Sequence, residues 1–175
     1  MNIDILELND ELIEKYDVED FLFRMIKISY QLNYVPEYHY DIIDLDKYYI
    51  NPEKSTFFIT IDRDTNRLVA TAAIRGYDKD YHIKNKHYTH ENTASIYRVF
   101  VDPEYRRCKI ATKLIEKIEN FCLEEGYKEI YLHTQKDSCG ALPFWLKNQY
   151  VITQKVPNEL GTIHMEKTLD RKSVV

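Results

Sequence analysis

The sequence predicts an α+β fold, an α/β three-layer arrangement in which a mixed, mostly antiparallel sheet is flanked by helices. Two observations carry the prediction. The first is a pair of runs rich in β-branched and small apolar residues, STFFITI at 55–61 and RLVATAAI at 67–74, separated by the polar stretch 62–66. That is the pattern of a hairpin. The second is the stretch SIYRVFVDPEYRRCKIATKLIEKIENFCLEEG at 95–126, followed by KEIYLHT at 128–134. A strand, a long helix and a second strand in that order need a crossover, which makes the two strands parallel.

The elements follow in chain order. Ile3, Ile5, Leu6 and Leu8 suggest a first strand, and Asn9-Asp10 breaks it. Asp17 is placed to cap a helix over 18–33, whose apolar face is Val18, Phe21, Leu22, Met25, Ile28 and Leu32. Pro36 separates this from a shorter helical stretch over 38–49. Six tyrosines fall in this region, Tyr30, Tyr34, Tyr38, Tyr40, Tyr48 and Tyr49. They read first as packing residues with solvated hydroxyls, and second as an amphipathic wall for a ligand. After the hairpin, the polar stretch 77–92 reads as a surface loop or a ragged hairpin extension. Its histidines, His82, His87 and His90, have no carboxylate or cysteine at a familiar metal spacing, and no metal site is expected.

The central strand is predicted over 96–101, ended by Asp102-Pro103, and the helix over 109–125. On that helix Ile110, Leu114, Ile118 and Phe121 share a face, with Ala111, Ile115 and Cys122 beside them. Gly126 suits the position just past its end. Free N–H groups in the first turn carry partial positive charge and suit a phosphate, although the same geometry fits a plain β–α unit. Strands at 128–134, 150–153 and 162–168 and a short helix over 139–148 complete the order.

Size and composition fit one domain spanning residues 1–175, with 30% charged and 44% hydrophobic residues. The net charge of −5 argues against a broad nucleic-acid surface and leaves a local basic patch at Arg106, Arg107 and Lys109. Cys108, Cys122 and Cys139 are odd in number and lack metal spacing, which suits reduced thiols. No apolar run reaches membrane-spanning length and the first residues lack a signal-peptide pattern, so a cytoplasmic protein with no membrane or nucleic-acid partner is expected.

VDPEYRRCKIATKLI, at 101–115, resembles the pyrophosphate-binding motif of the GNAT N-acetyltransferase superfamily, R/Q-x-x-G-x-G/A after V-x-P-x-Y/F. Arg106 matches its first position and Ala111 its last, and Thr112, Lys113 and Leu114 match the usual start of the helix. Lys109 stands where the family has glycine, and Arg107 where glycine is frequent. ALPFWLKNQY, at 141–150, resembles the family segment A-x-x-F-Y-E-K-x-G-F. Phe144 and Lys147 match, Trp145 replaces the tyrosine that often protonates the departing thiolate, and Gln149 replaces a glycine.

The resemblance implies a GNAT-like domain whose central parallel strands splay apart at one end. It implies acetyl-CoA as co-substrate, held by backbone N–H groups over 107–112, and a thioester carbonyl polarised by a backbone N–H near 99–101. The cofactor contacts it implies are Val99, Phe100, Val101, Arg106, Arg107, Cys108, Lys109, Ile110, Ala111, Thr112 and Phe144. The reaction implied is direct transfer of an acetyl group to a primary amine of a small molecule or peptide. The alternative is a catalytically weak acyl-CoA-binding or regulatory module on the same fold, which Lys109 and Trp145 keep open. Many members carry a glutamate base near the start of the central strand. Here that neighbourhood offers Ser95, Tyr97 and, upstream, Glu91, so the catalytic residues stay unassigned, with Tyr97, His133 and Trp145 as candidates. Cys108 reads as an oxidation-sensitive loop thiol. Oligomeric state is left open; pairing into a homodimer through the late strands is an analogy only.

Overall fold

The structure is a computed structural model that describes residues 1–138 and 140–170. Seven strands form one sheet in the order β1-β2-β3-β4-β5-β7-β6. The strands are β1 (Ile3–Glu7), β2 (Thr56–Asp62), β3 (Arg67–Gly76), β4 (Thr93–Val101), β5 (Glu129–Gln135), β6 (Val151–Lys155) and β7 (Thr162–Thr168). The helices are α1 (Asp10–Lys15), α2 (Val18–Tyr30), α3 (Pro36–Ile43), α4 (Ile110–Glu124) and α5 (Ala141–Lys147). The pairs β1/β2, β2/β3, β5/β7 and β6/β7 are antiparallel. β4 and β5 are parallel, as the crossover requires, and their ladder joins only Thr93–Ser95 to Glu129–Tyr131. It stops there although both strands continue, which is the expected splay.

By contact, the residues fall into two compact units, Met1–Arg75 with Tyr97–Ile118, and Gly76–Ile96 with Glu119–Val175. The first has a core of Val18, Phe21, Leu22, Met25 and Ile26 from α2, Ile42 from α3 and Phe57, Ile59 and Ile61 from β2. β2 is buried at every position, so its run of apolar residues is continuous rather than alternating. In the second unit, Ile130 and Leu132 of β5, Trp145 of α5 and Ile163 and Met165 of β7 are buried.

Several boundaries differ from expectation for physical reasons. Asn9 does more than end β1: its side chain accepts from the Leu12 N–H at 2.9 Å and caps α1, a short helix the sequence hid. α2 stops at Tyr30 because Gln31 turns left-handed at φ 56°. Leu32, expected on the apolar face, lies past this end and is exposed; Ile28, expected there too, is also exposed, while Ile26 is buried. Ile28 sits roughly a quarter-turn from the centre of the buried stripe. The second helical stretch starts at Pro36, breaks its helical dihedrals at His39 and ends at Ile43. A π-helical turn over Asp46–Ile50 follows. β4 begins at Thr93, three residues earlier than expected, because residues 93–95 pair with β5. Residues 77–92 carry no strand or helix. Cys139, placed at the start of the last helix by sequence, lies outside the described residues.

Candidate active site

β4 is where the first unit departs most from regular geometry. Arg98, in the middle of the strand, has φ 54°. A left-handed residue inside a strand costs about 1–2 kcal/mol without glycine, so something must hold it. Thr71 Oγ1 donates to the Arg98 carbonyl at 2.7 Å. The side chain forks onto Asp41 of α3, Nη2 to Oδ1 at 2.6 Å and Nε to Oδ2 at 3.0 Å, and Nη2 also donates to the Tyr38 carbonyl at 2.7 Å. Asp41 is 2% exposed.

A second arginine completes this network. Arg75 Nη1 donates to the Tyr49 hydroxyl at 2.9 Å, which itself donates to Asp41 Oδ2 at 2.5 Å. The Arg75 guanidinium lies 4.1 Å from the centroid of the Tyr97 ring, with Tyr48 and Tyr49 at 5.2 and 5.4 Å. Burial pushes the Asp41 carboxyl up, but the hydrogen bond and charge of Arg98, then Tyr49 and Arg75, outweigh it and hold the group below the usual carboxylate range. Burial, followed by the Asp41 charge, pushes the Tyr49 hydroxyl well up.

The turn after β4 is fixed separately. Asp102, 4% exposed, accepts from the Glu104 N–H at 3.0 Å and pairs with Arg67 at 3.3 Å. The Tyr105 hydroxyl donates to Asp62 Oδ2 at 2.5 Å. This delivers the chain to the start of α4. There Arg107 has φ 69° and Lys109 φ 61°. Both stand at positions where the resemblance led one to expect glycine, and both keep the left-handed backbone that glycine favours. Gln149, a third such position, has φ 71°. Left-handed residues in a short turn bend successive N–H groups toward one side, the shape of an anion-binding nest. The first bond closing onto Lys109 comes from the Lys113 N–H, at 3.2 Å. The N–H groups of Ile110, Ala111 and Thr112 thus precede it, at the positive end of α4. Arg106, Arg107 and Lys109 are exposed beside them, Cys108 half-buried.

The first unit therefore contains Tyr97, Val99, Phe100, Val101 and the whole run from Arg106 to Thr112; His133, Phe144 and Trp145 belong to the second. His133 is exposed on β5, its Nδ1 3.4 Å from the Tyr131 hydroxyl, which sits 2.7 Å from His164 Nδ1. Trp145 is 6% exposed, edge-on to Phe144 and Tyr150 at 5.0 and 5.1 Å. Ser95 Oγ is buried with no hydrogen-bond partner. Of the six tyrosines in 30–49, Tyr49 is buried and Tyr30, Tyr34 and Tyr38 are exposed. Sequence reasoning missed Asp41, Arg75 and Arg98 altogether; the signal was a charged residue inside the otherwise apolar and aromatic run SIYRVFV.

The profile of the Acetyltransferase (GNAT) family matches residues 20–149. This chain belongs to the GNAT family of acetyltransferases. Human N-acetylaspartate synthetase is similar at 29% identity over 96 residues, which is 55% of this chain and 28% of the relative. The chain thus spans less than a third of the length of that curated relative. Among solved structures, a GNAT-family acetyltransferase from Staphylococcus aureus Mu50 superposes with TM-score 0.75 at 22% identity, over 97% of this chain and all of the other. PaiA N-acetyltransferase from Thermoplasma acidophilum, solved in complex with coenzyme A, gives TM-score 0.66 at 18% identity over 96% of this chain and 99% of the other. These likenesses show the GNAT fold along nearly the whole chain. Among the described residues, no helix of this GNAT protein is long and apolar enough to cross a membrane.

Proposed function

We propose that this GNAT protein is a single-domain, acetyl-CoA-dependent N-acetyltransferase that passes the acetyl group directly to a primary amine of a small molecule or peptide. The observation that carries the reading is the left-handed backbone at Arg107 and Lys109, just ahead of α4. It is the backbone that glycine, which the family pattern has at these positions, adopts most easily, although neither residue is glycine. The donor set fits an anionic cofactor: N–H groups of residues 107–112 at a helix N-terminus, with Arg106, Arg107 and Lys109 exposed around them. The solved relative from Thermoplasma acidophilum holds coenzyme A, which supports the same ligand class.

Bound acetyl-CoA supplies a thioester that acylates the amine and leaves as a thiol. The chain's own contribution divides in two. Residues 106–112 hold the pyrophosphate by backbone N–H groups and flanking cations. The backbone N–H groups of Val99 to Val101 follow the left-handed turn at Arg98 and serve as donors toward developing oxyanion charge. The human relative's name refers to acetylation of aspartate, so amino acids belong among the acceptors tested. We place the enzyme in the cytoplasm, where the thiols of Cys108 and Cys122 stay reduced.

One observation favours a second reading, a weakly catalytic acyl-CoA-binding regulator. Trp145 replaces the tyrosine that protonates the thiolate in many relatives and packs between Phe144 and Tyr150. An indole N–H donates a hydrogen bond but is no proton source near neutral pH. The deciding experiment is thiol release from acetyl-CoA with polyamines, amino acids including aspartate, aminoglycosides and peptide N-termini. Amine-dependent release is expected. Tight acetyl-CoA binding without release under any amine would favour the regulator, and no binding at all would overturn both readings.

Lys109→Gly tests the turn. Glycine relieves the left-handed strain, so stability should rise by about 1 kcal/mol, read as a higher melting temperature. The lost ammonium should weaken acetyl-CoA binding by about 1 kcal/mol, several-fold, at low salt, with the difference fading at high salt. Tighter binding by the glycine variant at both salts would show instead that Lys109 obstructs the phosphates.

A further inference from the structure

We propose that Asp41 is a positioning residue for acetyl transfer: through its ion pair with Arg98 it fixes the left-handed turn of β4 and so aims the N–H groups of Val99, Phe100 and Val101. The proposal rests on the function given above and adds a device that the cofactor turn does not supply.

The geometry carries it. A strand residue with φ 54° is strained in arginine and would relax toward extended backbone if released. Relaxation changes the register of the residues after it, because successive strand residues point to opposite faces. Two restraints oppose this. One acts on the backbone, the 2.7 Å bond from Thr71 Oγ1 to the Arg98 carbonyl. The other acts on the side chain, where Asp41 receives two prongs of one guanidinium at 2.6 and 3.0 Å. A planar fork on a carboxylate fixes orientation as well as distance. Asp41 itself is held by the Tyr49 hydroxyl and lies 3.7 Å from Arg75. The anchor is therefore buried and cross-braced within the first unit.

Two other roles for Asp41 fit less well. As a general base it would need access to the acceptor's ammonium, yet it is 2% exposed. Both of its oxygens already accept, Oδ1 from Arg98 and Oδ2 from Arg98 and Tyr49. The same surroundings hold it ionised and make it a poor proton acceptor. As plain core packing it would stabilise the fold without a particular effect on turnover, and that alternative is separable by kinetics.

The experiment compares Asp41→Asn, Arg98→Gly and Arg98→Lys with the wild-type chain in amine-dependent thiol release. Asparagine keeps the size of Asp41 and removes its charge. Glycine tolerates the left-handed dihedral but also extended backbone, so with the fork gone no side chain holds the turn. Lysine keeps the charge with a single point of contact. Asp41→Asn and Arg98→Gly should lose about tenfold or more in kcat, while KM for acetyl-CoA stays within about threefold, because the phosphate turn is untouched. Arg98→Lys should recover part of the loss. Circular dichroism checks that each variant is folded. Folded variants with wild-type kcat would overturn the proposal, as would kcat loss that only tracks loss of folded protein. If the wild-type chain releases no thiol with any amine, the function proposed above fails. The positioning role is then read from the backbone amide NMR shifts of residues 99–101, which must move in Asp41→Asn; unmoved shifts overturn it.

Discussion

Ala111→Asp should weaken acetyl-CoA binding by at least about tenfold, roughly 1.4 kcal/mol, with no loss of fold stability. The two halves of this expectation come from one piece of physics. Ala111 is half-buried in the first turn of α4, one residue past Ile110, where the helix begins. A carboxylate there interacts favourably with the free N–H groups of the helix start, so the protein alone gains slightly or is unchanged. In the proposed complex the same carboxylate would compete with the phosphates of acetyl-CoA for those N–H groups and repel their charge. Ala111→Asn, nearly identical in size and neutral, separates charge from bulk. Calorimetry on the three proteins decides the matter: equal affinity across them would remove the phosphates from this turn.

Arg75→Met should destabilise the chain by about 3 kcal/mol, seen as a lower urea midpoint at unchanged slope. Arg75 is 5% exposed, and methionine fills much of its stem volume. What goes is the donor to the Tyr49 hydroxyl and the cation 4.1 Å from the Tyr97 ring. Tyr49 and Asp41 stay buried with one arginine instead of two. The figure sits at the low end for a broken buried pair because Arg98 still holds Asp41. A related expectation concerns acid. The folded-state pKa of Asp41 is depressed, so its contribution is fully present above its unfolded value near 3.9 and is lost as pH falls below about 4. Urea midpoints measured from pH 7 down to pH 3 should stay level and then drop, and the drop should shrink in Asp41→Asn.

The strands and the long helix were legible because their signals are local. STFFITI and RLVATAAI form β2 and β3, and the periodic residues Ile110, Leu114 and Ile118 are buried along α4. α1 was not legible, since six residues are too short for a periodic pattern and its capping Asn9 looks like a strand breaker. Nor was the break at His39, which no proline or glycine marks. The Asp41–Arg98 pair joins residues 57 apart, a distance over which sequence patterns carry no pairing information. At Arg107, Lys109 and Gln149 the positions were legible as departures from a glycine pattern, but the residue names pointed away from the backbone they adopt. All three adopt the left-handed backbone that glycine bears most easily.

Trp145, buried in α5 beside Phe144 and Tyr150, is the single tryptophan of the chain. Its emission is a spectroscopic window onto the second unit alone, because the first has none. Arg75→Met perturbs the first unit, so the variant turns that asymmetry into a gauge of cooperativity. If emission and far-ultraviolet circular dichroism shift together in urea, melting of the first unit is transmitted in full to the surroundings of the indole. An emission curve that stays at its wild-type midpoint while the dichroism moves would mean that the two units melt as separate cooperative blocks.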